Sequence, residues 1–162
     1  MTNLTYYIFE GLLIVSDSQG NYKTIFAVSG GGSGSTNALT QKDFNAMNNP
    51  YLQGQKQTTL TRGGAIPVGR YKVEKPFLHG TSGKTNSLRA RLTPVHPVNF
   101  AVRTGGRDGF LIHHTGPLGS DGCIVPKHQE DFDYLMKNLQ TNGGGTLVVL
   151  ESTQSQGFSS FA

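Results

Sequence analysis

The chain has 162 residues and a formal net charge of +4, with 22 glycines and a single cysteine, Cys123. This length suits one packed domain, and a lone cysteine excludes an intramolecular disulfide. No stretch approaches the roughly 18–20 apolar residues of a membrane span, and no dense Lys/Arg block indicates a nucleic-acid-binding surface.

The first thirty residues are typical of a β-meander. Short apolar runs such as "GLLIV" are separated by "DSQGN" at 17–21, where Gly and Asn tolerate positive φ. Alternation over 22–27 predicts a strand with one covered face. The N-terminus lacks the basic and long apolar regions of a signal peptide. If the protein works outside its own cytoplasm, we expect that it leaves without a signal peptide.

A polar segment, 29–64, comes next, with Gly and Ser at its head. It lacks the Pro, Glu and Lys bias of a disordered tract. Long segments inside a compact domain are often functional, so we expect it on the surface as a candidate lid of the site. The sequence has no internal repeat, and we assign 1–152 to a single domain and 153–162 to a loose tail.

Three further strand signals precede the cysteine. "IPVGRY" predicts a turn feeding a strand over 70–74. "LRARL" has strand character, with Arg89 and Arg91 on one face. "GFLIHH", ending at His114, is a short apolar strand.

The C-terminal part predicts the principal helix of the protein. "GCIVP" is expected to lead into it, with Pro126 suited to the first helical position. One apolar helix face is formed at i, i+3, i+4 and i+7 by Phe132, Leu135, Met136 and Leu139. "TLVVLES" is a final buried strand. The sequence therefore predicts a mainly β (β-rich α+β) fold with one principal helix after Cys123.

Cys123 and the two histidines before it are the candidate chemical groups. Gly122 permits an unusual φ and close approach of a substrate, and the expected helix start lowers a thiol pKa. A nucleophilic thiol needs a base, which His113 or His114 can supply. Successive side chains of a strand point to opposite faces, so only one of them faces Cys123. Spacing alone does not choose between them.

Two other interpretations compete with a catalytic thiol. Free cysteines are commonly buried and inert. A zinc site would draw on His113, His114, Cys123 and His128, but adjacent histidines rarely bind one ion from a strand, and a second cysteine is lacking. We therefore expect no metal and no other cofactor.

The motif around these residues resembles the L,D-transpeptidase (YkuD-type) domain. Ile112-His113 matches the family's strand end, and Ser120 with Gly122-Cys123-Ile124 matches its cysteine motif. "GGAIPVGRYKV" resembles its upstream stretch, so the resemblance covers about 66–150. It implies a YkuD-like β-sandwich or barrel.

Three positions depart from the family pattern. The family's histidine two residues before the cysteine is Asp121 here, the Gly after its first histidine is His114, and its Arg after the cysteine is Val125. Substrate carboxylates then need another cation, for which Arg107 is the candidate, unless it is a solvated turn residue.

The whole chain is more similar to the divergent DUF2778 group of YkuD-like proteins. The shared patterns are Ser29-Gly30 with Asn37, "G.IP.G.Y" at 64–71, "GR.GF.IH" at 106–113 and "S.GCI" at 120–124. The group includes type VI secretion effectors that attack the peptidoglycan of rival bacteria. Such effectors are made in the cytoplasm, need no signal peptide and act in the periplasm of the target.

This resemblance implies a cysteine enzyme acting on peptidoglycan tetrapeptide stems, with Cys123 as nucleophile and His113 as base. It implies L,D-carboxypeptidase action or D-amino-acid exchange, with an immunity protein and a secretion-machine component as further partners. Ser120 would orient His113 or bind substrate, and Asp121 would orient a histidine or, as we favour, cap the expected helix.

Two alternatives to this enzyme remain open. The first is a non-catalytic cell-wall-binding module with an idle cysteine. The second is a cysteine peptidoglycan endopeptidase of the NlpC/P60 type. That class usually has its cysteine before its histidine in the chain, the reverse of the order here.

Overall fold

The computed structural model describes residues 1–30, 48–50, 64–78, 88–95, 109–114 and 122–154. These residues form nine strands and one helix: β1 (Thr2–Tyr7), β2 (Leu12–Ser16), β3 (Tyr22–Ser29), β4 (Gly69–Val73), β5 (Phe77–Leu78), β6 (Leu88–Pro94), β7 (Leu111–Ile112), β8 (Ile124–Pro126), α1 (Gln129–Thr141) and β9 (Gly145–Leu150). The predicted mainly β fold with its helix after Cys123 is confirmed.

The strands close into a barrel of eight. Their order is β4-β9-β1-β2-β3-β8-β7-β6, and β6 pairs back with β4, while β5 extends β6 outside the ring. The pairs β1–β9 and β7–β8 are parallel, and the other pairs are antiparallel. Closure removes the unpaired edges that an open sheet would present.

The N-terminal meander forms as predicted, because its apolar residues alternate. Leu13 and Val15 of β2 are fully buried, as are Ile25 and Ala27 of β3. Phe26, between the last two, is exposed. β1 and β2 therefore turn one face to the core and one outward, as a period of two requires, and β3 does so up to its last three residues, which are all buried.

The helix packs its predicted apolar face into the same core. Phe132, Leu135, Met136 and Leu139 are buried and belong to one cluster with the inward residues of the strands. The described part of the chain contains no helix that is both long and apolar enough to cross a membrane.

The predicted start of this helix is wrong. Pro126 ends β8, and α1 begins only at Gln129, with His128 as its N-cap. Ile124 pairs on both sides, with Ser29 of β3 and Ile112 of β7, and Val125 pairs with Val28 of β3, so the pairing of these β-branched residues keeps the chain extended. Cys123 therefore precedes a buried strand, so the helix-dipole contribution expected for its thiol does not follow.

The polar segment and the tail each make described hydrogen bonds to the N-terminal meander. Asn48 is hydrogen-bonded to β3, through its backbone N–H to the Ser29 carbonyl oxygen (2.8 Å). The Thr153 N–H donates to the Glu10 carboxylate (3.1 Å). The described residues do not include 31–47, 51–63 and 155–162. Most of the segment 29–64, the candidate lid, is therefore outside the described residues, and its role as a lid stays a prediction.

Candidate active site

His113 and Cys123 are brought to neighbouring strands. Ile112 of β7 is paired in parallel with Ile124 of β8, and the His113 N–H donates to the Ile124 carbonyl oxygen (3.2 Å). Ile112 and Ile124 are both fully buried in the core. Side chains alternate along each strand, so His113 and Cys123 turn to the opposite, outer face together.

The two side chains differ in their access to solvent. Cys123 is half-buried and is not in a disulfide, whereas His113 is only 7% exposed. His113 and Cys123 are offset by two residues on neighbouring parallel strands. The usual strand spacing and rise then place their Cα atoms about 8 Å apart. An imidazole can bridge much of that distance toward a thiol, and the thiol stays within reach of an incoming molecule.

His114 turns the other way. Its Nδ1 donates to the Pro126 carbonyl oxygen (2.9 Å), and its ring stacks on Phe132 of α1 with the ring centres 5.6 Å apart. These two contacts fix the ring against the helix. His114 is thus a packing residue in this structure, on the face away from Cys123.

Ser29, at the end of β3, holds the backbone beside Cys123. Its fully buried hydroxyl donates to the Gly122 carbonyl oxygen (3.2 Å) and accepts from the Ile66 N–H (2.9 Å). That carbonyl and the Cys123 N–H belong to one planar peptide unit, so the bond also sets the orientation of the N–H. Gly122 has φ +104°, which favours glycine.

Ser29 is itself fixed by Asn48. The Ser29 N–H donates to Asn48 Oδ1 (2.8 Å), which also accepts from the Tyr6 hydroxyl (2.5 Å). Asn48 Nδ2 donates to the Ala27 carbonyl oxygen (3.2 Å). In the sequence, Ser29 stands out only within a shared pattern, and Asn48 does not stand out. A polar residue fully buried at a strand end shows its role only in the folded chain.

The charge state of His113 is set by its surroundings. Burial, followed by the electrostatic effects of Arg89 and then of His114, lowers the pKa of His113 to about 4. Its imidazole is therefore neutral at pH 7 and can accept a proton. Its Nδ1 atom is buried with no hydrogen-bond partner among the described residues.

Arg89 is the cation next to His113. The antiparallel pairing of Ala90 with Ile112 continues by one residue to set Arg89 opposite His113. Arg89 therefore shares the outer face with His113. The sequence places Arg89 on a strand face but does not show that it belongs to the site, because the neighbouring strand is not visible from the sequence.

The remaining predicted site residues stand as follows. Ser120, Asp121 and Arg107 lie outside the described residues, and their roles stay predictions. The N-cap of α1 is His128, so the favoured interpretation of Asp121 as the cap of this helix is wrong. Among the described residues, no three His, Cys, Asp or Glu side chains are grouped to hold a metal ion.

The fold is similar to that of solved bacterial proteins. The helical cell shape determining protein Pgp2 from Campylobacter jejuni matches 94% of this chain at 14% identity and a TM-score of 0.54. Its K307A mutant matches at 15% identity and a TM-score of 0.56. The chain spans 48% of the length of Pgp2.

A further similar structure is Mycobacterium tuberculosis L,D-transpeptidase 1. It matches 91% of this chain and 60% of its own, at 13% identity and a TM-score of 0.45. No family model matches the chain, and no curated protein matches it. The comparison with Pgp2 therefore establishes a shared fold.

Proposed function

We propose that the protein is a cysteine enzyme that acts on tetrapeptide stems of peptidoglycan, with Cys123 as nucleophile and His113 as general base and acid. The observation that carries the proposal is the register of β7 and β8, by which both residues turn to one face. The sequence resemblance to L,D-transpeptidases supplies the substrate class. A fold shared with a protein named for determining cell shape agrees with a substrate in the wall.

The proposed reaction begins with transfer of the thiol proton to neutral His113. The Cys123 sulfur attacks the carbonyl carbon between the third stem residue, usually diaminopimelate, and the terminal D-alanine. The C–N bond breaks, His113 returns the proton to the leaving amine, and a thioester remains on Cys123. Water then hydrolyses the thioester, or the amine of a free D-amino acid displaces the thiol.

Three local features support these roles. His113 is neutral at pH 7, so a ring nitrogen can accept the thiol proton, although a pKa of about 4 makes it a weaker base than a free imidazole. The half-buried thiol is accessible to a stem peptide. The peptide unit of Gly122 and Cys123, oriented by Ser29, is the proposed site of the backbone donor that stabilises the oxyanion. Ser120 would orient His113 or contact substrate, and Asp121 would orient a histidine.

The proposed biological role is that of an antibacterial type VI secretion effector of the DUF2778 group. Support for it comes from the sequence patterns shared with that group. In this role the protein is made in the cytoplasm and acts in the periplasm of target bacteria, where a cognate immunity protein blocks it. Removing terminal D-alanine depletes the tetrapeptide donor that L,D-crosslinking uses.

The test is release of D-alanine from purified tetrapeptide muropeptides under reducing conditions. We expect Cys123→Ala and His113→Gln to lower the rate by on the order of 10³-fold or more, since each removes a group that takes part in bond breaking. His114→Gln should stay within about tenfold, because His114 packs against α1. A mass shift for the thioester on Cys123 would identify the nucleophile directly.

Other outcomes would contradict the proposal. Tight binding of muropeptides without release of D-alanine indicates a wall-binding module. Cleavage at the γ-D-glutamyl bond indicates an endopeptidase. Retained activity in His113→Gln together with loss in His114→Gln reverses the assignment of the base.

A further inference from the structure

Arg89 lies next to the proposed base and has a buried nitrogen in its charged group. Its Nε atom is buried and has no hydrogen-bond partner among the described residues. A buried donor left without an acceptor costs free energy, more so when the donor is charged. A ligand that brings a carboxylate would supply that acceptor in the paired geometry that guanidinium favours.

The second arginine of the same strand face already has partners. Arg91 Nε lies 3.7 Å from Glu74 Oε2, and the Arg91 guanidinium lies 5.7 Å from the centre of the Phe77 ring. Both arginines turn to the outer face of β6, two residues apart. Of the two, Arg89 is thus the one that has an unsatisfied nitrogen.

The order of groups across the strands matches the order of atoms in the substrate. Cys123 precedes β8, His113 follows β7, and Arg89 lies on β6 directly opposite His113. In a tetrapeptide stem the attacked carbonyl carbon is followed by the amide nitrogen, then by Cα of D-alanine and its carboxylate. With the carbonyl at Cys123 and the nitrogen at His113, the carboxylate falls on the side of Arg89.

We propose that Arg89 binds the terminal carboxylate of D-alanine and thereby restricts the enzyme to stems that end in a free D-alanine. This inference rests on the proposed function. A stem whose D-alanine is amide-linked, as in a crosslink or a pentapeptide, carries no negative charge at this position and leaves the guanidinium unpaired. Binding such a stem would desolvate the Arg89 guanidinium without giving it an anionic partner. This cost weakens the binding of that stem.

Binding measurements test this site separately from catalysis. We use full-length Cys123→Ala protein, which does not turn over, and titrate it calorimetrically with the tetrapeptide and with the same peptide ending in a carboxamide. Adding Arg89→Gln should weaken binding of the free acid about 10- to 100-fold, the loss expected for one charge-assisted pair. The matched control Arg91→Gln should change it less than about threefold.

The carboxamide peptide gives the second readout. This peptide should bind weakly to the Cys123→Ala parent, and its affinity should not change on Arg89→Gln. The Arg89→Lys variant keeps the charge but not the planar fork, so it should bind the free acid with intermediate affinity. Thermal unfolding checks that each variant is folded. If Arg89→Gln does not fold, Arg89→Lys and the carboxamide peptide carry the test.

Two results would overturn the proposal: equal affinity of Arg89→Gln and parent for the free acid, or equal affinity of the parent for acid and carboxamide. Absence of any binding would overturn it as well. If wild-type protein releases no D-alanine while binding of the free acid still depends on Arg89, the proposed chemistry fails and the carboxylate site stands.

Discussion

His113 illustrates how one residue couples charge to the stability of the fold. It is buried on the outer face of the barrel, opposite Arg89, and His114 is its neighbour in the chain. Burial and the electrostatic effects of these two neighbours lower the pKa of His113 to about 4. An unfolded histidine titrates near 6.5, so the folded chain resists protonation of His113 more than the unfolded chain does.

We therefore expect acid to destabilise the fold through His113. Between pH 6.5 and about 4 the unfolded state binds a proton that folded His113 does not, so the free energy of unfolding falls as pH falls through this window. The loss between pH 7 and 4.5 should be about 2–3 kcal/mol, measured by urea unfolding. In His113→Gln this contribution should disappear.

The control is His128→Gln, because His128 is exposed and lies at the start of the helix. It should keep the pH dependence of the wild type. An unchanged pH dependence in His113→Gln would refute this account of the His113 charge state.

At the scale of elements, the short connection between α1 and β9 depends on two glycines with positive φ. Gly143 and Gly144 have φ +69° and +103°, and the Gly144 N–H donates to the Leu139 carbonyl oxygen (2.7 Å), which ends the helix. The two glycines differ in their surroundings. A Cβ on Gly144 would lie 2.3 Å from the Val73 carbonyl oxygen, whereas one on Gly143 would meet nothing within 4 Å.

The two alanine substitutions should therefore differ in cost. Gly143→Ala should lower the free energy of unfolding by about 1–2 kcal/mol, the strain of positive φ alone. Gly144→Ala adds a clash with the backbone of β4 and should cost about 1–3 kcal/mol more. Urea unfolding of both variants measures the difference. Equal losses would show that the close approach of β4 does not constrain Gly144.

Local patterns predicted most elements but misplaced the start of α1. The apolar spacing from Phe132 to Leu139 fixed the buried face of the helix. Pro126 is compatible with a first helical turn and with a strand end, so the local sequence left both open. Pairing of β8 with β3 and β7 decided for the strand.

At the scale of the whole molecule, Ser29 connects three segments that are far apart in the chain. It ends β3, accepts from the Ile66 N–H just before β4, and donates to the Gly122 carbonyl oxygen beside Cys123. The barrel brings these segments together because β3 and β8 are neighbours. Ser29 thus links the closure of the fold to the position of the proposed nucleophile.

Ser29→Ala should reduce both stability and activity. It leaves the Ile66 N–H and the Gly122 carbonyl without this partner, and each buried polar group left unpaired costs about 1–3 kcal/mol. We expect a loss of about 2 kcal/mol or more in urea unfolding. D-alanine release should also fall at temperatures where the variant is fully folded, because the Gly122–Cys123 peptide unit is no longer held.

Ser16→Ala is the matched control, a serine at the end of the neighbouring strand β2. We expect its unfolding free energy to stay within about 0.5 kcal/mol of the wild type. Full activity and stability in Ser29→Ala would contradict the positioning role.

The sequence by itself determined the N-terminal meander, the buried face of α1 and the inequivalence of His113 and His114, because each follows from a local period. The tertiary structure alone decided the closed barrel, the strand after Cys123, the position of His113, Cys123 and Arg89 on neighbouring strands, and the hydrogen bond of Ser29 beside Cys123. These depend on strands pairing across long stretches of chain. Such pairing is selected by shared burial of apolar faces, which a local pattern does not encode.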